Sequence, residues 1–276
     1  MNLPKVSKSS TVWLLGSEAM KTTKSRPTDK LLPVMDIFGP TVQGEGKIAG
    51  QVSYFLRMGL CSYRCSWCDQ MESVDPILVS KNAKWRTQEQ IFEELKEFTK
   101  HSMRGTWLTI SGGDPLSHDL QFLVMSLQAE EWLRIAVETQ GSIYQDWLRG
   151  CDLITVSPKP PSSGMSGKTD FGVLESYVKN LDGRIIFKVV IFSEGDADFA
   201  EQIAARFRHT PLYLSAGTPT QEAVPKEHRH PEMKSLLWIQ AQVLKSYSNL
   251  GKIVLGRPYL HNATLLPQLH VLMSVK

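Results

Sequence analysis

The sequence predicts an α/β fold, a partial (β/α)6 TIM-like barrel, on three observations. Six short apolar runs, rich in β-branched or aromatic residues and bounded by Gly, Pro or Ser, alternate with amphipathic helical patterns. Repeated strand-helix order implies a parallel sheet, because parallel neighbours need a crossover long enough to hold a helix. No glycine-rich dinucleotide fingerprint follows the first run, which favours a barrel arc over a doubly wound sheet.

The 276-residue chain opens with a Ser-, Thr- and Lys-rich stretch, 1–30, that lacks sustained periodicity and reads as a flexible basic extension; Met20 marks a second place where a product could begin. A single folded domain is expected over 31–276. Strands are expected over 53–58, 106–111, 134–139, 153–157, 185–192 and 211–215. Between them, 87–100 opens with Thr87 and Gln90 as a capping box and puts Ile91, Leu95 and Phe98 on one face. Helical patterns also cover 117–130, 196–208 and 230–246, and the Pro/His-rich segment 218–231 reads as the one long loop beyond the N-terminus.

Net charge is +3, but the extension holds six of the 31 basic residues and two of the 28 acidic ones, so the domain carries 25 against 26. A near-neutral body disfavours a nucleic-acid partner. The longest apolar run is broken by Lys188 and falls far short of the roughly 18 residues of a membrane span. Four cysteines, three within eight residues, make no disulfide scaffold and indicate a reducing compartment. The apolar core of 11–15 is too short for a secretory signal, so the cytoplasm is the expected location.

In a parallel barrel the chemistry gathers at the C-terminal strand ends. There stand Cys61 after the first strand, Ser111-Gly112-Gly113-Asp114-Pro115 after the second, Glu138-Thr139-Gln140-Gly141 after the third and Ser157-Pro158-Lys159-Pro160-Pro161 after the fourth. Cys61, Cys65 and Cys68 have the spacing C-x3-C-x2-C, which lets one loop wrap three corners of a [4Fe–4S] cube and leaves the fourth iron open to a small ligand. The same thiols suit a zinc ion completed by a distant His or by Cys151, and unligated packed cysteines are a third reading.

On a loop after the first strand, this spacing resembles the radical S-adenosylmethionine superfamily. The resemblance implies that the amino and carboxylate groups of S-adenosylmethionine chelate the open iron and that one electron generates a 5′-deoxyadenosyl radical. Ser111 to Pro115 resembles the superfamily's Gly-Gly-Glu-Pro segment, whose Gly112 and Gly113 would let the backbone approach the methionine amino group; an ordinary strand-to-helix turn has the same look.

Asp36-Ile37-Phe38-Gly39-Pro40-Thr41-Val42-Gln43-Gly44-Glu45-Gly46, Glu138-Thr139-Gln140-Gly141-Ser142 and Ser157-Pro158-Lys159-Pro160-Pro161-Ser162-Ser163 together resemble the 7-carboxy-7-deazaguanine synthase family, over about 31–270. The resemblance implies a lyase, usually a homodimer. It would convert 6-carboxy-5,6,7,8-tetrahydropterin to 7-carboxy-7-deazaguanine with loss of ammonia, in queuosine biosynthesis, using an electron donor such as flavodoxin or ferredoxin.

A pterin offers a flat edge of donors and acceptors plus a carboxylate. Val42, Gln43, Gly44, Glu45 and Glu138 suit that edge, Ser111 adds a hydroxyl, and Arg57 suits the carboxylate; a surface ion pair for Arg57 and a strand-end cap for Glu138 are the plainer readings. The resemblance assigns Ser157, Pro158 and Lys159, with Trp67 and Asp69 flanking Cys68, to S-adenosylmethionine. It also implies Mg²⁺ on a Ser or Thr hydroxyl two residues after the last cysteine. Gln70 stands there instead, with a longer but usable amide oxygen. Gln268 and His270 fall in a C-terminal segment that closes the site in relatives. Two rivals remain: a glycyl-radical activating enzyme, which shares the cysteine spacing without needing 43–46 or 157–163, and a zinc-stabilised RNA-binding module.

Overall fold

The computed structural model describes residues 29–181, 183–218 and 232–275. The expected extension thus lies outside the described residues except for its last two, and so does all but Thr218 of the expected 218–231 loop. In chain order the elements are β1 (Leu32–Val42), β2 (Val52–Met58), the short helices α1 (Met71–Val74) and α2 (Pro76–Asn82), β3 (Lys84–Arg86), α3 (Gln88–Thr99), β4 (Thr106–Gly112), α4 (Gln121–Glu130), β5 (Leu133–Thr139), β6 (Leu153–Val156), α5 (Phe171–Asn180), β7 (Ile185–Ile191), α6 (Glu194–Arg206), β8 (Leu212–Ala216), α7 (Glu232–Leu255), β9 (Thr264–Leu266) and α8 (Leu269–Met273).

The six expected strands are β2, β4, β5, β6, β7 and β8, each within one residue at either end, and they pair in parallel. β9 joins β8 in parallel, while β1 lies antiparallel on β2 and β3 antiparallel on β1. Among the described residues the order is β3-β1-β2-β4-β5-β6-β7-β8-β9, an arc whose edges, β3 and β9, do not meet. The barrel is therefore partial, as expected.

Alternation sorts the side chains onto two faces. Tyr54, Leu56, Met58, Leu108, Ile110, Ile135, Val137, Ile154, Val156, Phe187, Val189 and Leu214 join the large core with Ile91 and Leu95 of α3 and Leu123 and Leu127 of α4. The other face carries Ser53, Thr109, Thr155, Lys188 and Ser215, all buried, and a small cluster of Trp107, Ala136, Leu153 and Ile186 under Ile48. Removing one fully buried Leu of the large core would cost about 2–5 kcal/mol. The polar face is free to carry chemistry.

α3 starts as expected, with both arms of its capping box made: Gln90 N–H to Thr87 Oγ1 at 3.3 Å and Thr87 N–H to Gln90 Oε1 at 3.0 Å. α4 starts four residues later than its pattern, because Pro115–Ser117 forms a separate 3-10 turn capped by Asp114 and the chain extends again at His118. α6 starts two residues early, on a capping box between Ser193 and Asp196. α7 runs nine residues beyond its expected end, and Arg257 just after it binds Glu194, Asp198 and Glu201 at 2.8, 2.7 and 2.9 Å. That cluster borders an open cavity of about 660 Å³ between α6 and the end of α7. No helix among the described residues is long and apolar enough to cross a membrane.

Candidate active site

The cysteine loop leaves the C-terminal end of β2 and is held from both sides. On one side the end of β4 presses against it, with Gly113 N–H donating to Met58 O at 2.8 Å and Asp114 N–H to Leu60 O at 2.7 Å. A Cβ at Gly112, where φ is +115°, would lie 2.2 Å from Met58 O, and one at Gly113 2.2 Å from Leu60 O. Both glycines are thus required by backbone packing, whatever else they contact. Asp114 is buried and accepts from Thr139 Oγ1 at 2.7 Å and Gln140 Nε2 at 3.0 Å; burial, only partly offset by these bonds, pushes its carboxyl up to about 6. Gln140 Nε2 also donates to Ser62 Oγ at 2.9 Å, and the Cys61 thiol donates to Gln140 Oε1 at 3.2 Å. One polar network therefore joins three strand ends.

On the other side, the segment after β6 wraps the loop. Ser66 N–H donates to Ser163 O at 3.0 Å, Ser66 Oγ to Ser162 O at 2.7 Å and Trp67 Nε1 to Ser162 Oγ at 3.1 Å. Trp67 packs against Phe192 at 5.4 Å and receives the Lys159 ammonium 5.8 Å from its ring centre. Lys159 Nζ also donates to Ser157 Oγ at 3.2 Å. Pro158 is buried and Asp69 is exposed. Burial raises all three loop thiols, Cys61 to about 11, and the Lys159 charge pulls against that rise at each. Cys151 is buried at the opposite end of the sheet, just before β6.

Beside the loop, the polar face of the sheet carries Arg57 and its register partner Ser111, then Glu138 and Lys188. The turn after β1 lies over them. Gln43 Nε2 donates to Glu138 at 3.0 Å, and Gln43 Oε1 accepts the Glu45 N–H at 3.1 Å. Lys188 Nζ pairs with one Glu45 oxygen, and Gln268 Nε2 donates to the other. Leu269 N–H donates to Gly44 O at 3.1 Å, which lays α8 on the turn. Val42 ends β1 half-buried at the lip. The Arg57 guanidinium lies 4.9 Å over Phe38, which stacks on Phe55 at 5.0 Å. Among the described residues its buried Nε has no hydrogen-bond partner. Burial lowers Arg57 while Asp36, Asp69 and Glu138 oppose the shift.

Residues 56–160 match the Radical SAM superfamily. The chain is 37% identical over 249 residues to the 7-carboxy-7-deazaguanine synthase of Bacillus subtilis (strain 168), covering 88% of this chain and 96% of that protein. The chain belongs to the 7-carboxy-7-deazaguanine synthase family. The synthase of Bacillus cereus is 36% identical over 244 residues, with the same coverage of both chains. The crystal structure of QueE from Escherichia coli, at 20% identity, aligns with a TM-score of 0.54 over 67% of this chain and 84% of that one, which shows a common fold. Membership sets aside the activating-enzyme and zinc-module readings and implies a [4Fe–4S] cluster and S-adenosylmethionine.

The residues present fit the cluster. Cys61, Cys65 and Cys68 are free thiols on one loop, raised by burial so that they need a cation to become thiolates. No three Cys, His, Asp or Glu side chains among the described residues converge on one ion. The C-x3-C-x2-C spacing lets one loop reach three corners of a cube. Gln70 stands at the N-cap of α1 without a side-chain capping bond.

The structure thus brings Gln43, Gly44, Glu45 and Glu138 into one bonded unit, sets Arg57 and Ser111 side by side, and gathers Trp67, Ser157 and Lys159 on the cysteine loop. Sequence reasoning missed Lys188 as a site residue, as well as the roles of Asp114 and Gln140. The signal for Lys188 was present: a lysine inside a parallel strand otherwise made of Ile, Phe and Val needs a buried partner.

Proposed function

We propose that the protein converts 6-carboxy-5,6,7,8-tetrahydropterin to 7-carboxy-7-deazaguanine with loss of ammonia, on the route to queuosine. The observation that carries this reading is the bonded unit of Gln43, Glu45 and Glu138 beside the three-thiol loop, in a chain of this family. Cys61, Cys65 and Cys68 hold the cluster. Trp67, Asp69, Gly112, Gly113, Ser157, Pro158 and Lys159 hold S-adenosylmethionine. When bound, the two supply a carbon-centred radical that takes a hydrogen atom from the substrate.

The chain's own work is positioning and exclusion of water. Val42, Gln43, Gly44, Glu45 and Glu138 present acceptors and donors to the flat pterin edge, with Ser111 adding a hydroxyl. Arg57, lying over the Phe38 ring and with its Nε unpaired among the described residues, takes the substrate carboxylate. Around this mouth stand the carboxylates of Glu45, Asp69 and Glu138, with the charges of Arg57, Lys159 and Lys188 among them. A substrate carboxylate adds one more negative charge to this mouth. A divalent cation offsets it, which supports Mg²⁺ on the Gln70 amide oxygen. The reading includes a homodimer in the cytoplasm, reduced by flavodoxin or ferredoxin.

Anaerobic incubation with S-adenosylmethionine, a low-potential reductant and the carboxylated tetrahydropterin, followed by mass analysis, tests it. The expected product appears only when all three are present. Cluster-loaded protein that cleaves S-adenosylmethionine yet leaves the pterin unchanged would overturn it.

A further inference from the structure

We propose that Lys188 is a positioning residue for substrate recognition, its ammonium fixing the Glu45 carboxylate as the acceptor for the pterin edge. The inference rests on the reading of Glu45 as a substrate contact.

Lys188 lies on the polar face of β7, 143 residues away from Glu45, and the two side chains are 8% and 12% exposed. A Lys there has no solvent to turn to. Its Nζ takes one Glu45 oxygen, and the Gln268 amide takes the other. Gln268 is itself fixed, its carbonyl oxygen accepting from the Thr218 hydroxyl, which leaves its NH₂ for Glu45. An ionised carboxylate has about four lone-pair sites, two per oxygen. With one site of each oxygen occupied, one remains on each. Two parallel acceptors match the adjacent ring N–H and exocyclic NH₂ of a pterin's pyrimidine edge, much as a carboxylate receives a guanidinium fork.

Stability alone is a poor account of this pair, since an apolar pair of similar volume is often as stable as a buried ion pair. Charge state is a better one. Burial by itself raises Glu45; the Lys188 charge, its hydrogen bond, the Gln268 bond and the His270 ring outweigh burial and hold the carboxyl below the usual carboxylate range. Lys188 is in turn held charged, against burial, by Glu45, Glu138 and Asp69. Glu45 is faced by Lys188 from β7, by Gln268 and His270 from the C-terminal segment, and by Gln43 through its own turn. Without Lys188, burial prevails, and a protonated Glu45 would present a donor where the substrate also donates.

The test is anaerobic substrate binding to cluster-loaded protein with S-adenosylmethionine and no reductant, from pH 6 to 8, with melting curves as a check on folding. Wild-type affinity sets the reference profile. Lys188→Met should weaken binding about tenfold or more at pH 7. It should also make affinity, relative to wild type, rise with pH as Glu45 ionises. Lys188→Arg should restore the wild-type profile. Because Lys188→Met alone leaves a buried unpaired carboxylate that destabilises the fold, the neutral pair Glu45→Gln with Lys188→Met is measured beside Glu45→Gln. Equal affinity in those two proteins supports a Lys188 that acts through Glu45. Further loss in the double variant means that Lys188 touches the substrate itself and overturns the proposal, as does a Lys188→Met profile parallel to wild type. If Glu45→Gln alone binds substrate normally, the reading of Glu45 fails first.

Discussion

Gly44 is the position where one added methyl group would report on how the site closes. A Cβ there would lie 1.9 Å from His270 Nδ1, 2.7 Å from His270 Cγ and 2.8 Å from the His270 amide nitrogen. Rotating the imidazole away relieves the first two contacts but not the third, which belongs to the backbone of α8. In Gly44→Ala the start of α8 must therefore shift, breaking the Leu269 N–H to Gly44 O bond and the Gln268 bond to Glu45. The first is worth about 1 kcal/mol and the second, to a charged group, about 1.5–3 kcal/mol. Water recovers part of this, because α8 buries none of its residues. About 2 kcal/mol of closing energy should be lost, roughly thirtyfold in substrate affinity. The melting temperature should fall by no more than a few degrees, since the main core is untouched. Substrate titration and hydrogen exchange across 268–273 read the two effects separately, and His270→Ala added to Gly44→Ala should restore only part of each. Faster exchange with unchanged affinity would show that α8 takes no part in substrate binding and would refute the reasoning.

Cys151→Ala should leave iron content unchanged and lower the melting temperature by a few degrees through the small cavity it opens, whereas Cys65→Ala should strip the cluster; iron assay and visible absorption distinguish them. Arg57→Lys keeps the charge but loses the planar fork held over Phe38, so substrate binding should weaken by about 1.5–3 kcal/mol while S-adenosylmethionine binding holds. Initial rates of chelator-treated enzyme should rise on Mg²⁺ addition, and Gln70→Ser should keep or strengthen that response; no effect on the natural sequence with a clear one on the Ser variant would remove Gln70 as a ligand. Burial raises Asp114 from 3.8 to about 6, so its ionisation destabilises the fold as pH climbs through that window, by about 3 kcal/mol in all. Asp114→Asn should gain in melting temperature relative to wild type between pH 4 and pH 6.5, and a constant difference would count against that assignment.

The six core strands were legible because each has to bury alternate side chains against helices, and that demand writes a run of Ile, Val, Leu and Phe into the sequence. β1 was not, because Pro33, Gly39 and Pro40 read as breakers. As a near-edge strand pairing antiparallel to β2 and β3, β1 tolerates them, with its register shifted between Phe38 and Thr41. α5 was overlooked although Asp170 caps it through Gly172 N–H at 2.8 Å and Val173 N–H at 3.3 Å. The three thiols were readable from spacing alone. The bonded unit of Gln43, Glu45 and Glu138 was readable only through family resemblance, because no local pattern joins residues 95 apart. Lys188 showed itself as an interruption, and what it interrupts the run for is a partner that only the folded sheet brings near.

The Gln268 bond to Glu45 spans 223 residues. At synthesis rates of about 5–20 residues per second, Gln268 is made roughly 11–45 seconds after Glu45. During that interval the sheet can form strand by strand from β2 towards β8, each pairing with its predecessor, while the Glu45 carboxylate stays hydrated and meets Lys188 first. The recognition unit is thus completed later than the thiol loop, whose hydrogen bonds lie within 58–168 and whose Trp67 packs on Phe192. A nascent chain halted shortly before Gln268 would contain every cysteine of the loop and still lack the clasp over Gly44.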